Sequence, residues 1–248
     1  MDTPPLGRLL GSGKEAEIFE CGALVVKLYR SPASKRASFR EAGVLALVES
    51  LGLPVPSVLG VQRFGERWGI TMTRAAGVSF ADAMAGDPGL VAAYLRAMAA
   101  LHLHVHRHPG TQLANQKARV AAGIQQATIL GEAHRRSLLA GLAALPDGDR
   151  LCHGDFHPFN IVGPLGREVL LDWPNACQGD PAADVCRSYI LMKSIAPTQA
   201  SRYVDAYMEI SGETPARIFS WLPFLAAARL SEDVPDETDA LLEMAASA

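Results

Sequence analysis

Around Arg74-Ala75-Ala76-Gly77 the hydrophobic period of the chain changes, and this switch constrains the fold more than any other feature. Upstream, short apolar runs separated by turn residues read as strands at about 6 to 10, 15 to 20 and 23 to 29. Gly11-Ser12-Gly13 is the expected first turn and Cys21-Gly22 the second. SKRASFREAGVLALVESLG then places Phe39, Val44, Leu47, Val48 and Leu51 near one face of a helix that Gly52 and Pro54 end. VLGVQRF and WGITMT supply a further pair of strands. Downstream the pattern is helical, at about 79 to 84, 88 to 107, 112 to 143, 181 to 195, 197 to 211, 214 to 230 and 236 to 246. Only NIVG and EVLLDW interrupt it as extended material. The expected fold is α+β: a small β-rich lobe with one helix over 1–77, joined to a larger, mainly helical lobe over 78–248.

With 248 residues, 49% hydrophobic and 20% charged, the chain can bury a large core and is too apolar for disorder. The start, MDTPPLGRLLGSGK, lacks the apolar centre of a signal peptide, and no run approaches the length of a membrane span, so a cytoplasmic protein is expected. Cys21, Cys152, Cys177 and Cys186 show no CxxC spacing and read as reduced core thiols. Residues 1–77 hold 10 Lys/Arg against 7 Asp/Glu, whereas 78–248 hold 13 against 19. That bias suits phosphates in the first part and a cation in the second, and it disfavours nucleic acid as a partner.

Residues 151–162, LCHGDFHPFNIV, admit two readings. His153, Asp155 and His157 alternate like metal ligands on an extended segment, while Asp155 and Asn160 stand five apart. An Asp that orients an attacking hydroxyl and an Asn that offers a neutral oxygen to Mg²⁺ meet two needs of phosphoryl transfer. A charged ligand is also needed, and LLDW supplies Asp172, beyond a Gly163-Pro164-Leu165-Gly166 turn that makes the segment a hairpin. Lys27, in ALVVKLY, is a lysine in an apolar strand; either it snorkels or it pairs with a carboxylate such as Glu41 on the next helix and faces phosphates. GSGKEA fits neither the phosphate-loop nor the dinucleotide pattern, and by itself is as readily a hairpin turn.

Two further features have simpler readings. HLHVHRHP sets His102/His106 and His104/His108 as i,i+4 pairs on different faces, so the four cannot meet on one ion; the expectation is a helix end before Pro109. The C-terminal acids Glu232, Asp233, Asp236, Glu237, Asp239 and Glu243, with no Lys or Arg among them, read either as a wall for a cationic acceptor or as a solvated helix.

HGDFHPFN, LLDW and VVKLY, in this order and spacing, resemble the aminoglycoside phosphotransferase and choline kinase-like family of the bilobal protein-kinase-like fold, over nearly the whole chain. The resemblance implies Asp155 as catalytic base, Asn160 and Asp172 as metal ligands, Lys27 as the α/β-phosphate contact and Glu41 as its ion-pair partner. It further implies that Asp184 buttresses the catalytic loop, that His153 is mainly structural, and that Met72, Thr73, Arg74 and Ala75 form a hinge whose backbone meets adenine. Gly11, Ser12 and Gly13 would cover the phosphates. The implied reaction is transfer of the γ-phosphoryl of ATP or GTP, with Mg²⁺, to a hydroxyl of a small molecule, an aminoglycoside or other amine-bearing acceptor being within the family's range. A metal hydrolase built on His153, Asp155 and His157 would leave Asn160, Asp172 and Lys27 unexplained. A protein substrate lacks its usual platform, because no APE-like element follows LLDW. A nucleotide-sensing binding protein of the same fold is the alternative, and the intact catalytic positions argue against it.

Overall fold

The computed structural model describes residues 5–31 and 34–246. It divides into two compact units, 1–80 with 160–174, and 81–159 with 175–248. The sequence places one boundary after Gly77; the units part after Phe80, and the LLDW hairpin groups with the first.

The first unit is built on an antiparallel sheet of β1 (Leu9–Ser12), β2 (Ala16–Cys21), β3 (Leu24–Tyr29), β4 (Val58–Phe64) and β5 (Arg67–Thr73), in the order β1-β2-β3-β5-β4. Gly11 and Ser12 belong to β1, opposite Ile18 and Glu17, so the first turn is Gly13-Lys14-Glu15, two residues later than the run of small residues suggests. One face of the sheet buries Cys21, Val26, Leu28 and Phe64. Strand alternation sends Val25, Lys27 and Tyr29 to the opposite face. There α1 (Lys35–Ser50) supplies Glu41, which reaches both Lys27 and Tyr29.

The buried face of α1 is Ser38, Glu41, Ala42, Leu45 and Val48, which shares only Val48 with the expected stripe through Phe39. Phe39 is half exposed and lies against the Trp68 ring near the start of β5. The helix spends a core position on a carboxylate, which a count of apolar residues cannot register. A hairpin of β7 (Ile161–Val162) and β8 (Val169–Leu170) completes the unit, tied to it by Leu170 N–H donating to the Pro54 carbonyl at 2.7 Å.

In the second unit α3 (Val91–His106), α4 (Gln116–Gln126), α5 (Glu132–Ala144), α6 (Pro181–Lys193), α7 (Pro197–Ser211), α8 (Pro215–Phe219), α9 (Leu222–Arg229) and α10 (Thr238–Ala245) pack around Leu95, Phe156, Tyr203, Tyr207 and Trp221. Helix α2 (Phe80–Gly86) starts where the first unit ends. The expected helix over 112–143 is two helices. Val120, Ile124, Ala127, Leu130, Leu138 and Leu142 keep helical spacing across the break and are all buried, so the apolar pattern conceals it. Arg135 donates to the Leu130 carbonyl at 2.7 Å, satisfying a backbone group that the broken turn leaves open. The expected helix over 214–230 likewise parts into α8 and α9. A short ladder of β6 (Arg150–Cys152) and β9 (Cys177–Gly179), absent from the sequence expectation, pairs Cys152 with Cys177. The four cysteines are buried and free.

Candidate active site

In the first unit the sheet, α1 and the hairpin bring four expected residues together. Lys27 is fixed by its ladder neighbours Ile18 and Ile70. Its Nζ donates to Glu41 Oε1 at 2.7 Å and to Asp172 Oδ1 at 2.6 Å. Burial alone would lower the pKa of this ammonium, but the facing Glu41 and Asp172 carboxylates more than offset it and the net shift is upward, so Lys27 stays charged. Tyr29 donates its hydroxyl to Glu41 Oε2, and burial followed by the Glu41 charge raises its own pKa. The snorkelling alternative for Lys27 is thereby set aside: its side chain is 13% exposed and doubly paired.

The hairpin register sets Ile161 against Leu170, and Leu171 N–H donates to the Asn160 carbonyl at 2.8 Å. Asn160 thus sits across the hairpin from the residue before Asp172. Asp172 has φ +65°, in the left-handed region, where Asp is tolerated better than most residues because its short side chain can bond locally. Trp173, fully buried, anchors the following turn by donating to the Leu170 carbonyl at 3.1 Å. Asn160 is 9% exposed, whereas the Asp172 side chain is 40% exposed. One neutral and one anionic oxygen donor held at the same end of a hairpin match a hard divalent cation.

At the glycine turn, Arg30 donates to Ser12 Oγ at 2.6 Å and to the Gly13 carbonyl at 3.0 Å, pinning the hairpin from its side. A Cβ at Gly11 or Gly13 would meet nothing nearer than 3.5 Å, so internal packing does not demand glycine at either position. Met72 and Thr73 close β5, with Thr73 Oγ1 accepting from Ser57 N–H; Arg74 pairs with Glu20 at 2.9 Å, and Ala75 follows outside the strand.

The second unit holds Asp155 and its supports. Asp184, fully buried on α6, accepts from His153 N–H at 2.6 Å and Gly154 N–H at 2.9 Å, fixing the two peptides before Asp155. His153 is buried, and its Nδ1 accepts from Asp155 N–H at 3.2 Å. The expected helix-end histidines divide. His102 and His106, both buried on α3, direct Nε2 at Asp184 Oδ2 at 3.0 and 3.3 Å, while their Nδ1 atoms accept from Tyr203 and Tyr207 hydroxyls at 2.5 and 2.7 Å. His104 and His108 meet each other instead. Burial, then the His106 neighbour, lowers the His102 pKa to about 3, so a neutral imidazole donates to Asp184. Burial opposes ionisation of Asp184, but these hydrogen bonds outweigh it and hold its carboxyl well below the usual range. The sequence marks the two i,i+4 pairs but carries no sign that Asp184, 78 residues beyond His106, is their target. His102, His106, Tyr203 and Tyr207 are the site-supporting residues it leaves hidden.

Among the described residues, the one group of three His, Cys, Asp or Glu with ligand atoms within 4.8 Å of one another is His102, His106 and Asp184. His153, Asp155 and His157 are not so gathered; His157 Nε2 lies 3.8 Å from Asp155 Oδ2, and the ring of His153 turns to the Asp155 amide.

A cavity of about 310 Å³ opens within the second unit, with Gly154, Gln116, Arg119, Asn175, Arg187 and Glu232 on its walls. Of the C-terminal acids, Glu232 pairs with Arg187 at 2.7 Å and Arg229 at 2.8 Å, and Glu237 with Arg229 at 2.7 Å. Two acids of the run without Lys or Arg are therefore partnered by arginines from α6 and α9. This differs from an open acidic wall.

The antiparallel sheet with its Lys–Glu pair, the HGDxxxxN loop and the following Asp define a kinase-like phosphotransferase. The chain belongs to the phosphotransferase enzyme family, whose model matches residues 7–219. Among solved structures it is similar to aminoglycoside phosphotransferase APH(4)-Ia, at 18% identity and TM-score 0.73, covering 98% of this chain and 92% of that one. That enzyme is also solved as a thermostable mutant with ADP and hygromycin B, at TM-score 0.72 and 18% identity, over 98% and 95% of the two chains. APH(3'')-Id from Streptomyces rimosus, solved with ADP and streptomycin, matches at 18% identity and TM-score 0.62, over 86% and 90%. No curated protein sequence matches. No helix among the described residues is long and apolar enough to cross a membrane.

Proposed function

We propose that the chain transfers the γ-phosphoryl group of ATP, or GTP, to a hydroxyl of a small molecule. The observation that carries the reading is the Lys27 ammonium between Glu41 and Asp172, 2.7 and 2.6 Å away, with Asn160 at the same hairpin end as Asp172. Lys27 contacts the α/β-phosphates, and Glu41, itself held by Tyr29, keeps the ammonium in place. Gly11, Ser12 and Gly13 cover the phosphates, and the backbone of Met72 to Ala75 meets the base. Asn160 and Asp172 would hold Mg²⁺, which when bound supplies positive charge against the phosphate oxygens. Asp155, its backbone fixed through Asp184, accepts the proton of the attacking hydroxyl and aligns that oxygen.

The acceptor binds in the cavity beside Gly154, because that wall adjoins the base in the chain. The ligands named with the similar solved structures make amine-bearing acceptors, aminoglycosides among them, the first class to screen. The paired state of Glu232 and Glu237 removes two carboxylates from any polycation site, so the net charge of this part of the chain is a poor guide to acceptor charge. The test is an ATP-consumption screen against aminoglycosides, amino alcohols, sugars and nucleosides, with Asp155→Asn as control. Acceptor-dependent ADP release that Asp155→Asn abolishes supports the reading; release unchanged in that variant overturns it.

A further inference from the structure

Gly154 is gripped at both ends by one helix. Its N–H donates to Asp184 Oδ1 at 2.9 Å, and its carbonyl accepts from Arg187 Nε at 3.3 Å. Asp184 and Arg187 stand three apart on α6, so they share one face of that helix. Gly154 has φ +78°, and a Cβ there would lie 2.4 Å from the Asn175 carbonyl oxygen, so the turn accepts no side chain at this position. The Gly154 carbonyl belongs to the peptide bond that leads into Asp155. Arg187 is in turn held by Glu232, at 2.7 and 2.9 Å, with its side chain 12% exposed. Glu232 also takes Arg229, and Arg229 takes Glu237, just before the C-terminal helix. Arg229 lies within electrostatic reach of Asp155 as well.

We propose that Arg187 is a positioning residue for Asp155, and that the C-terminal acids Glu232 and Glu237 serve through Arg187 and Arg229 to hold the catalytic loop rather than to bind acceptor. The proposal rests on the phosphotransfer reading of Asp155. A guanidinium suits the task because its fork serves the Gly154 carbonyl and the Glu232 carboxylate at once; an ammonium lacks that fixed geometry. Losing the contact frees the peptide before Asp155, and a displacement near 1 Å at a reacting group costs up to about 100-fold in rate.

The experiment measures turnover of Mg·ATP, with water and with the best acceptor from the screen, for Arg187→Gln, Arg187→Lys, Glu232→Gln, the Arg187→Gln/Glu232→Gln pair and the surface control Arg136→Gln. Hydrogen exchange of a peptide spanning 151–158 is followed beside one from α1. The expected result for Arg187→Gln is a kcat about 10- to 100-fold lower with KM for ATP within about twofold, and faster exchange in 151–158 alone. Arg187→Lys should recover part of kcat, and the double variant should be no worse than Arg187→Gln, since both changes break one chain of contacts. A kcat unchanged from that of Arg136→Gln, or a raised acceptor KM at normal kcat, would overturn the proposal. If the unaltered protein turns over nothing, the phosphotransfer reading falls, and unchanged exchange in 151–158 then overturns the positioning role separately.

Discussion

Asp172 shows how one position can carry both chemistry and conformational cost. Its carboxylate pairs with Lys27 while its backbone sits at φ +65°. Replacing it by Ala removes the charge and also leaves a residue for which the left-handed conformation costs about 1 kcal/mol or more. Asp172→Asn keeps the shape and tolerates the backbone. We expect Asp172→Asn to lose turnover at any Mg²⁺ concentration while melting close to the unaltered protein, and Asp172→Ala to lose turnover and melt lower. Mg²⁺-dependent activity surviving in Asp172→Asn would remove Asp172 from the ligand set. Asp184 and His102 make a second residue-scale prediction. Asp184 is depressed in the folded state, so its contribution is present above the unfolded carboxylate pKa and lost as pH falls through the folded one. His102 is depressed to about 3, so between about 6.5 and 3 the unfolded chain binds the extra proton, and stability again falls with falling pH. Both slopes have the same sign. Urea unfolding at stepped pH should therefore show stability dropping from about pH 6.5 downward. His102→Gln should flatten that slope, and an equally steep slope in the variant would show that His102 does not titrate in this way.

At the scale of elements, the sequence is most legible where local rules act alone. The β-meander, the helix after it and the LLDW hairpin follow from turn residues and period, and the structure has all three. It is least legible where a long-range partner decides. The break after Gln126 is invisible in an apolar pattern that runs straight through it, and α1 turns Glu41 inward because of a lysine on β3. Gly123 belongs to the same kind: mid-helix, it reads as a weak point, yet it lets α4 approach α9 closely. A Cβ there would lie 2.8 Å from the Ala228 Cβ and 3.0 Å from its Cα, with no flexible side chain to give way. Gly123→Val should cost about 1 to 3 kcal/mol by overpacking. Gly123→Ala should cost less, because its Cβ is smaller than the Val side chain and Ala is the better helix former by about 1 kcal/mol. Chemical denaturation of the three proteins checks the order, and a Gly123→Val protein as stable as the unaltered one would mean that the two helices can part freely.

For the whole molecule, the expected catalytic residues lie in both compact units, and the chain passes from one to the other after residues 80, 159 and 174. Asp155 and Asn160 are five apart in sequence yet belong to different units, while Lys27 and Asp172 are 145 apart and hydrogen-bonded within one. Motif spacing conveys the first relation; the resemblance names Lys27 and Asp172 separately, as phosphate contact and metal ligand, and the pairing between them shows only in the structure. A ligand that bridges Lys27 and the Asn160/Asp172 hairpin end should stabilise the first unit by joining segments that the sequence holds far apart. At a nucleotide concentration about 100 times Kd this amounts to roughly 2.7 kcal/mol, or about 5 to 10 °C in Tm for a chain of this size. Lys27→Ala lowers the starting Tm too, because Glu41, 2% exposed, loses a compensating charge, so the quantity to read is the shift on adding Mg·ATP and not the Tm itself. We expect that shift to fall to less than about half in Lys27→Ala and to persist in Asp155→Asn, since the proposed role of Asp155 is toward the acceptor and not the nucleotide. A shift of equal size in all three proteins would detach Lys27 from the phosphates. A shift lost in Asp155→Asn alone would place the nucleotide beside Asp155, and the two units would then exchange roles, the second binding the phosphoryl donor and the first the acceptor.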